Sequence, residues 1–333
     1  MKNYGFPYKG SKNRLAEKIV KLFPDAENFY DLFCGGCAIT HRALIENRWK
    51  NYVINDIDSR CPKLFLDAIN GKFKDETRWI SREDFFKLKD DDGYVAFCWS
   101  FGNNGNDYLY SREIEPYKKA LHYAIVFNDY SLGKELGFDF SVVDTIQGVQ
   151  ERKLFLQKYL KNNNIGKDSP LKVSIETSNI LQNLNRLQSL ESLESLERLE
   201  RLQSLQSLQS LESLERLERL QSLQSLQSLE QFSTDYAEIE IKKDSIIYCD
   251  IPYKGTDGYN GIDFDYERFY SWCKNQTELC FISNYEMPED FIPIAEFPHR
   301  SILCATKNIP VLEKVFIPKH QLELYKARLS DCI

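Results

Sequence analysis

The sequence of 333 residues predicts an α/β fold carrying two insertions, and three observations lead there. Apolar runs alternate with amphipathic segments as helix, strand, turn, helix and strand through the first 55 residues. The same rhythm resumes near residue 245. Between these parts lie an aromatic-rich region and a leucine repeat that fit neither period.

Taken in order, the first part reads as a helix over Lys12 to Phe23, a strand over Phe29 to Phe33, a Gly35-Gly36 turn, a helix over Ala38 to Arg48 and a strand over Tyr52 to Asn55. After the repeat, Ser245 to Cys249 and Leu279 to Ser283 are short apolar runs of the buried-strand type, with a helical segment between them over Asp265 to Lys274. Residues from about 90 to 180, rich in aromatics, Asn and Gly, break the rhythm as an inserted recognition region would. The expected division is therefore 1–90 with 233–333 as one α/β domain, 91–180 as an insertion and 181–232 as a low-complexity tract.

In that tract leucine recurs at every third position from Leu181 to Leu229, and residues 197–214 reappear at 215–232 with only the last two positions changed. A period of 3 turns each leucine back by about 60° on a helix, so the leucines circle it instead of forming the fixed seam of a coiled coil. A long helix is the first reading, because Leu, Gln, Glu and Arg are good helix formers; a solenoid of 18-residue coils and disorder remain open. The tract holds none of the motif residues described below, which reads as an expanded connector.

Composition bounds the class. Hydrophobic residues make up 42% and aromatics 13%, enough for a sizeable core. No run reaches the roughly 18 apolar residues of a membrane span, and Met1 to Gly5 does not open a signal peptide, so a cytoplasmic protein with no membrane partner is expected. Nine cysteines, an odd number, fit reduced thiols better than a disulfide framework. Cys34 and Cys37 form the only close pair and the four histidines are far apart, so no metal site is read. A net charge of −7 weighs against nucleic acid, but Lys2, Lys9, Lys12, Arg14, Lys18 and Lys21 crowd the first 21 residues against a single Glu17.

Two patterns carry chemistry. Phe29-Tyr30-Asp31-Leu32-Phe33-Cys34-Gly35-Gly36 runs a strand into a glycine turn, where a ligand can approach the backbone at a helix N-terminus. Asn55-Asp56-Ile57-Asp58 follows at the end of the next strand, with Asp56 placed 21 residues after Gly35, where an acid can accept both hydroxyls of a ribose. Together they indicate a nucleoside cofactor; a structural turn with a surface acid is the bland alternative. The second pattern is Asp250-Ile251-Pro252-Tyr253, directly after the apolar strand. Standing alone it would read as a proline turn with a packed tyrosine.

At this point the sequence resembles the Dam-type (alpha group) site-specific adenine-N6 DNA methyltransferases, whose hallmark is Asp-Pro-Pro-Tyr at a strand end. Phe6-Pro7-Tyr8-Lys9-Gly10-Ser11-Lys12 looks like that family's opening motif, and Phe281-Ile282-Ser283-Asn284-Tyr285-Glu286 is similar to its Ser-Asn segment. The motifs stand in family order over roughly residues 5–60 and 245–290.

The resemblance implies a Rossmann-like AdoMet-dependent methyltransferase fold with an inserted, mainly helical target-recognition region, and S-adenosyl-L-methionine (AdoMet) as methyl donor. It further implies double-stranded DNA as substrate, base flipping and a prokaryotic or phage-encoded, restriction-modification type of enzyme. Carried over, Tyr8, Lys12, Asp31, Phe33, Gly35 and Asp56 would bind AdoMet, Lys12 by meeting its carboxylate. Asp250, Ile251, Pro252 and Tyr253 would serve the adenine: Asp250 and a backbone carbonyl accept the amino hydrogens of a base whose lone pair is delocalised, and Tyr253 stacks on it. Ile251 departs from the hallmark's first proline, keeping the carbonyl but losing rigidity. Cys37 stands where many relatives place the last glycine of the turn. The stretch Phe97 to Tyr110 lies where the family carries a target-recognition hairpin, whose Asn side chains and aromatics can read or wedge bases; an ordinary surface hairpin is the alternative.

Asp250 points to adenine, since cytosine amino-methyltransferases usually carry Ser there. Ring-carbon methylation needs a Pro-Cys nucleophile, and none of the eleven prolines precedes a cysteine. RNA is not excluded. From another class, an inactive methyltransferase-fold protein could use its repeat as an interaction module.

Overall fold

The computed structural model describes residues 3–162, 209–223, 228–254, 264–300 and 310–330. Seven strands among them form one sheet: β1 (Asn28–Asp31), β2 (Asn51–Asn55), β3 (Ser228–Phe232), β4 (Ser245–Asp250), β5 (Leu279–Asn284), β6 (Phe291–Arg300) and β7 (Pro310–Pro318), in the spatial order β3-β2-β1-β4-β5-β7-β6. The first five run parallel, and β7 enters antiparallel between β5 and β6. β6 is an edge strand, which is where a sheet tolerates Pro293 and Pro298 and the register shift between Pro293 and Ala295.

The inner strands are apolar at both parities because both faces of a parallel sheet are covered. Phe29, Ile246, Tyr248, Leu279 and Phe281 enter one core, while Tyr30, Ile247, Cys249, Cys280 and Ile282 enter the other. Tyr266–Lys274 covers the second face with Phe269, Tyr270 and Cys273, its N-cap Asp265 accepting from Arg268 N. The expected α/β class is observed. No helix among the described residues is long and apolar enough to cross a membrane.

Two expectations change. The first helix is shorter than read, Ala16–Val20, and Lys12 sits in the turn before it, its carbonyl accepting from Leu15 N and Ala16 N. The aromatic segment after residue 90 is also not a separate unit at its start: Tyr94 to Trp99 and Tyr108 to Tyr110 are buried in the sheet's own core, because five bulky aromatics could not be left in water. A second small core begins farther on, where Glu115–Phe127 and Val149–Asn162 pack through Ala120, Leu121, Ala124, Ile125 and Leu156.

The leucine tract departs most from the connector reading. Residues 181–208 and 224–227 lie outside the described residues, but Gln209–Leu220 is a helix and Ser228–Phe232 is β3, paired in parallel with β2. The boundary expected at 233 therefore falls inside the chain's own sheet. Leu211 enters the small core of the insertion, whereas Leu214, Leu217, Leu220 and Leu223 enter the main core. The backward drift that denies the helix a single apolar face suits it to a position between two cores. Its polar positions are used as well. Arg216 Nη2 donates to the carbonyls of Tyr4 and Gly5 at 3.1 and 3.3 Å, buried Lys153 pairs with Glu215, and the Tyr110 hydroxyl meets Ser210 Oγ at 3.3 Å.

The repeat makes this arrangement testable. Deleting residues 197–214 joins Leu196 to Glu215 and rebuilds the helix sequence with one change, Glu in place of Gln209. Its melting temperature is expected to stay within about 2–4 °C of the parent, the effect of roughly 1 kcal/mol. Deleting 209–217 keeps every leucine in phase but brings Arg201 to the buried place of Ser210 and Ser207 to that of Arg216. That variant is expected to lose several kcal/mol, of order 3–5, for an unpaired buried charge, a difference that parallel thermal melts measure.

Candidate active site

A crevice opens at the carboxyl ends of β1, β2 and β4, where the strand order reverses and an open α/β sheet places its ligands. Asp31 ends β1, Asp56 follows β2 and Asp250 ends β4, and all three line it. Register makes the meeting obligatory. Asp31 is paired with Tyr248, two residues before Asp250, and the Cys34 amide donates to the Asn55 carbonyl at 3.0 Å, tying the glycine turn to the end of β2.

The opening segment closes over this turn. Gly5 N donates to His41 Nδ1 at 2.8 Å and Phe6 N to Gly36 O at 3.0 Å. The approach is so close that a Cβ on Gly5, whose φ is +65°, would stand 2.0 Å from Gly36 O, and one on Gly36 would stand 2.6 Å from Tyr8 Cβ. The Tyr8 ring thus lies on the glycine turn and against Phe97 at 5.1 Å. Cys37 has a φ of 52°, the left-handed conformation that favours glycine.

Asp56 Oδ2 accepts from Gly35 N at 2.8 Å and Oδ1 from Asp58 N at 3.0 Å, which fixes the acid at the crevice wall. Burial lifts its pKa to about 6 against the lowering effect of those bonds. Asp31 is more isolated. Its Oδ2 accepts from the Thr40 hydroxyl at 2.6 Å, while its buried Oδ1 finds no hydrogen-bond partner among the described residues. Burial, only partly opposed by the Thr40 bond and reinforced by Asp250 and Asp56, raises its pKa to about 7.

Lys12 is the cation within this acidic group. Its Nζ lies 2.8 Å from Asp250 Oδ1 and 3.8 Å from Glu313 Oε1. Burial by itself would lower the lysine's pKa; the two carboxylates outweigh it, and the net direction is upward. Asp250 is raised to about 6, by burial first, with Lys12 pulling it down and Glu313 pushing it up. The lysine assigned to the cofactor's carboxylate on sequence grounds is thus paired with the strand-end aspartate in this structure.

Eight of the ten sequence-derived residues line the crevice: Tyr8, Lys12, Asp31, Phe33, Gly35, Asp56, Asp250 and Pro252. Ile251 is buried at 1% exposure in the core beneath it, an apolar anchor where the hallmark has proline. Tyr253 stands beside the crevice, its hydroxyl 3.4 Å from Asp250 Oδ1 and bonded to Glu313. In the stretch Phe97 to Tyr110, Ser100 bridges Tyr108 in antiparallel fashion, but Phe97, Trp99, Tyr108 and Tyr110 are buried; only the tip is exposed, with Phe101 at 63%. Those four aromatics pack the core and do not face a ligand.

Sequence reasoning missed Thr40, Tyr248 and Glu313. A signal existed for Glu313, which shares its parity along β7 with the buried Val315 and Ile317. A charged residue at an inward position calls for a partner.

The acidic crevice carries a cost in stability. Because Asp31 has a folded pKa of about 7 against 3.8 unfolded, it favours the folded state only while protonated, and that contribution is lost as pH rises through 7. Asp31→Asn is therefore expected to stabilise the ligand-free protein at pH 8 by about 1–2 kcal/mol, below the ceiling of about 4 kcal/mol set by 1.36 kcal/mol per pKa unit. The gain should shrink as pH falls toward 4, where aspartic acid and asparagine are both neutral; melting curves across this range check both sign and trend.

Among known families, the model of the D12 class N6 adenine-specific DNA methyltransferases matches residues 8–188, more than half of the chain. No curated protein matches it significantly. The matched span carries the opening segment, the glycine turn and Asp56, and it ends before β4 brings Asp250 to the same crevice. The chain therefore belongs to the D12 class N6 adenine-specific DNA methyltransferase family, and its activity is the methylation of the N6 amino group of adenine in DNA.

Proposed function

We propose that the crevice is a two-part seat in which Tyr8, Lys12, Asp31, Phe33, Gly35 and Asp56 hold AdoMet, while Asp250, Ile251, Pro252 and Tyr253 hold an adenine flipped out of double-stranded DNA. The observation that carries this reading is the convergence of two buried carboxylates, Asp31 and Asp56, with the half-buried Asp250 and one lysine at the carboxyl ends of β1, β2 and β4. AdoMet carries an ammonium and a sulfonium, a single carboxylate and a ribose diol, so its charge complements an acidic site. The unpartnered Oδ1 of Asp31 suits the ammonium and the fixed carboxyl of Asp56 suits the diol.

When bound, AdoMet supplies an electrophilic methyl group on a positively charged sulfur. The chain's residues then prepare the nucleophile. Asp250 and the Ile251 carbonyl accept the two amino hydrogens, which draws the N6 lone pair out of the ring and toward the methyl carbon. The methyl carbon would exchange its bond to sulfur for one to N6, and Asp250 would stand where N6 gives up one proton. Tyr253 covers the base face. Exposed Lys9 and Arg14, on either side of Lys12 in the chain, offer phosphate contacts despite the net negative chain.

Further proposals concern organisation. The small core from Glu115 onward, with the exposed tip at Phe101, is assigned to target recognition, and the sheet together with the tract helix to catalysis. A cytoplasmic enzyme, prokaryotic or phage-encoded, fits a genomic DNA substrate.

Asp250→Ala is expected to cut methyl transfer to adenine-unmethylated genomic DNA by about 10²–10³-fold or more while changing the AdoMet dissociation constant little. Labelled AdoMet in a filter assay, with calorimetry alongside, reads both; normal turnover would end the assignment. The cofactor seat has its own pH signature. An ammonium prefers ionised Asp31, so AdoMet affinity should rise with pH up to about 7, being roughly tenfold weaker at pH 5.5 than at pH 7. Asp31→Asn should weaken binding and remove most of that slope, and a flat wild-type profile would count against the seat.

A further inference from the structure

Glu313 is a buried acid that the two-part seat does not use. It lies on β7 at 1% exposure, in the run of buried positions that includes Val315 and Ile317, and it does not line the crevice. A carboxyl group so placed is costly unless it is paired and hydrogen-bonded. It is both. The Tyr253 hydroxyl donates to Glu313 Oε1, and Lys12 Nζ stands 3.8 Å away.

These contacts join Glu313 to the adenine side of the site. Lys12 lies 2.8 Å from Asp250 and 4.8 Å from the centroid of the Tyr253 ring, and that ring meets Tyr285 edge-on at 4.4 Å. Tyr253 is thus held by its hydroxyl, which reaches Glu313 and at 3.4 Å Asp250, by Lys12 over its face and by Tyr285 at its edge. Stacking on a flipped base needs only a flat ring, which phenylalanine would provide, so the hydroxyl's role lies in the tether.

We propose that Glu313 is a positioning residue for adenine methylation, which fixes the Tyr253 ring through its hydroxyl and, by sharing Lys12, sets how readily Asp250 accepts the amino hydrogens. The inference rests on the reading of Asp250 and Tyr253 as the adenine seat. The groups facing Asp250 are Lys12 from the opening segment, Asp31 from β1, Asp56 after β2, Tyr248 and Tyr253 from β4 and its loop, Tyr285 after β5 and Glu313 from β7. Among them Lys12 favours the ionised form of Asp250 and Glu313 opposes it. Removing the charge at 313 therefore lets Asp250 ionise at lower pH.

The test uses the full chain, AdoMet and adenine-unmethylated genomic DNA, with kcat followed from pH 5 to 9. Glu313→Gln keeps the shape of the side chain. It is expected to lower kcat at pH 7.5 by about tenfold and to move the acid limb of the profile to lower pH by roughly half a unit. Tyr253→Phe, which cuts the same hydrogen bond and with it the 3.4 Å bond to Asp250, should lower kcat by at least a similar factor, and the double variant should be no slower than the slower single one. Wild-type kcat with an unmoved acid limb in Glu313→Gln overturns the proposal. So does a fall in kcat that is additive with Tyr253→Phe, leaves the limb in place and accompanies a lowered melting temperature, because Glu313 would then be a structural residue only. Asp250→Ala in the same assay separates the two readings: an active Asp250→Ala enzyme defeats the adenine seat itself, whereas an inactive one beside a wild-type-like Glu313→Gln enzyme defeats this inference alone.

Discussion

Everything at the site depends on one pairing, the parallel alignment of β1 with β4, residues that are more than 200 positions apart in the chain. Asn28 faces Ser245 and Asp31 faces Tyr248, so the carboxyl ends of both strands leave the sheet together. A parallel pair cannot be closed by a tight turn. The intervening chain must cross over, and here that crossover carries β2, the small helical core from Glu115 onward, the tract helix and β3. A slip of one residue would turn Asp250 to the other face of the sheet.

The alignment has an electrostatic consequence. Three strand ends deliver three carboxyl groups to a single crevice, β7 adds a fourth beside it, and burial pushes Asp31, Asp56 and Asp250 upward in pKa. Lys12 relieves part of this, held between Asp250 and Glu313. Stability is given up here, as sites built for a cationic ligand commonly require. The opening segment that supplies Lys12 is in turn fixed by glycines that allow near-contact with Gly36 and by Arg216, which donates to its carbonyls.

Arg216 belongs to the leucine tract. A low-complexity repeat thereby contributes a core helix, an edge strand and a direct support for the opening segment at Tyr4 and Gly5. A period of 3, unsuited to one apolar face, is suited to a helix pressed on successive sides by two cores. Short repeats with the right composition can meet such packing demands because leucine spacing is conserved under any change of three residues, while the polar positions decide which changes are tolerated.

By itself the sequence determined the strand-helix alternation, the place of the glycine turn, the acid after β2 and the strand-end Asp250, since these depend on local periodicity and on residue types that chemistry demands at fixed spacing. Element types followed the periodicity in the flanking parts, with ends displaced by at most four residues. What the tertiary structure alone decided was which distant groups meet. Lys12 went to Asp250, Glu313 came in from β7 to the Tyr253 hydroxyl, the aromatics from Phe97 to Tyr110 became core, and the repeat joined the sheet. None of these contacts has a signature in the spacing along the chain, because each arises from strand order and register, and a buried charge takes whichever partner the packing brings within reach.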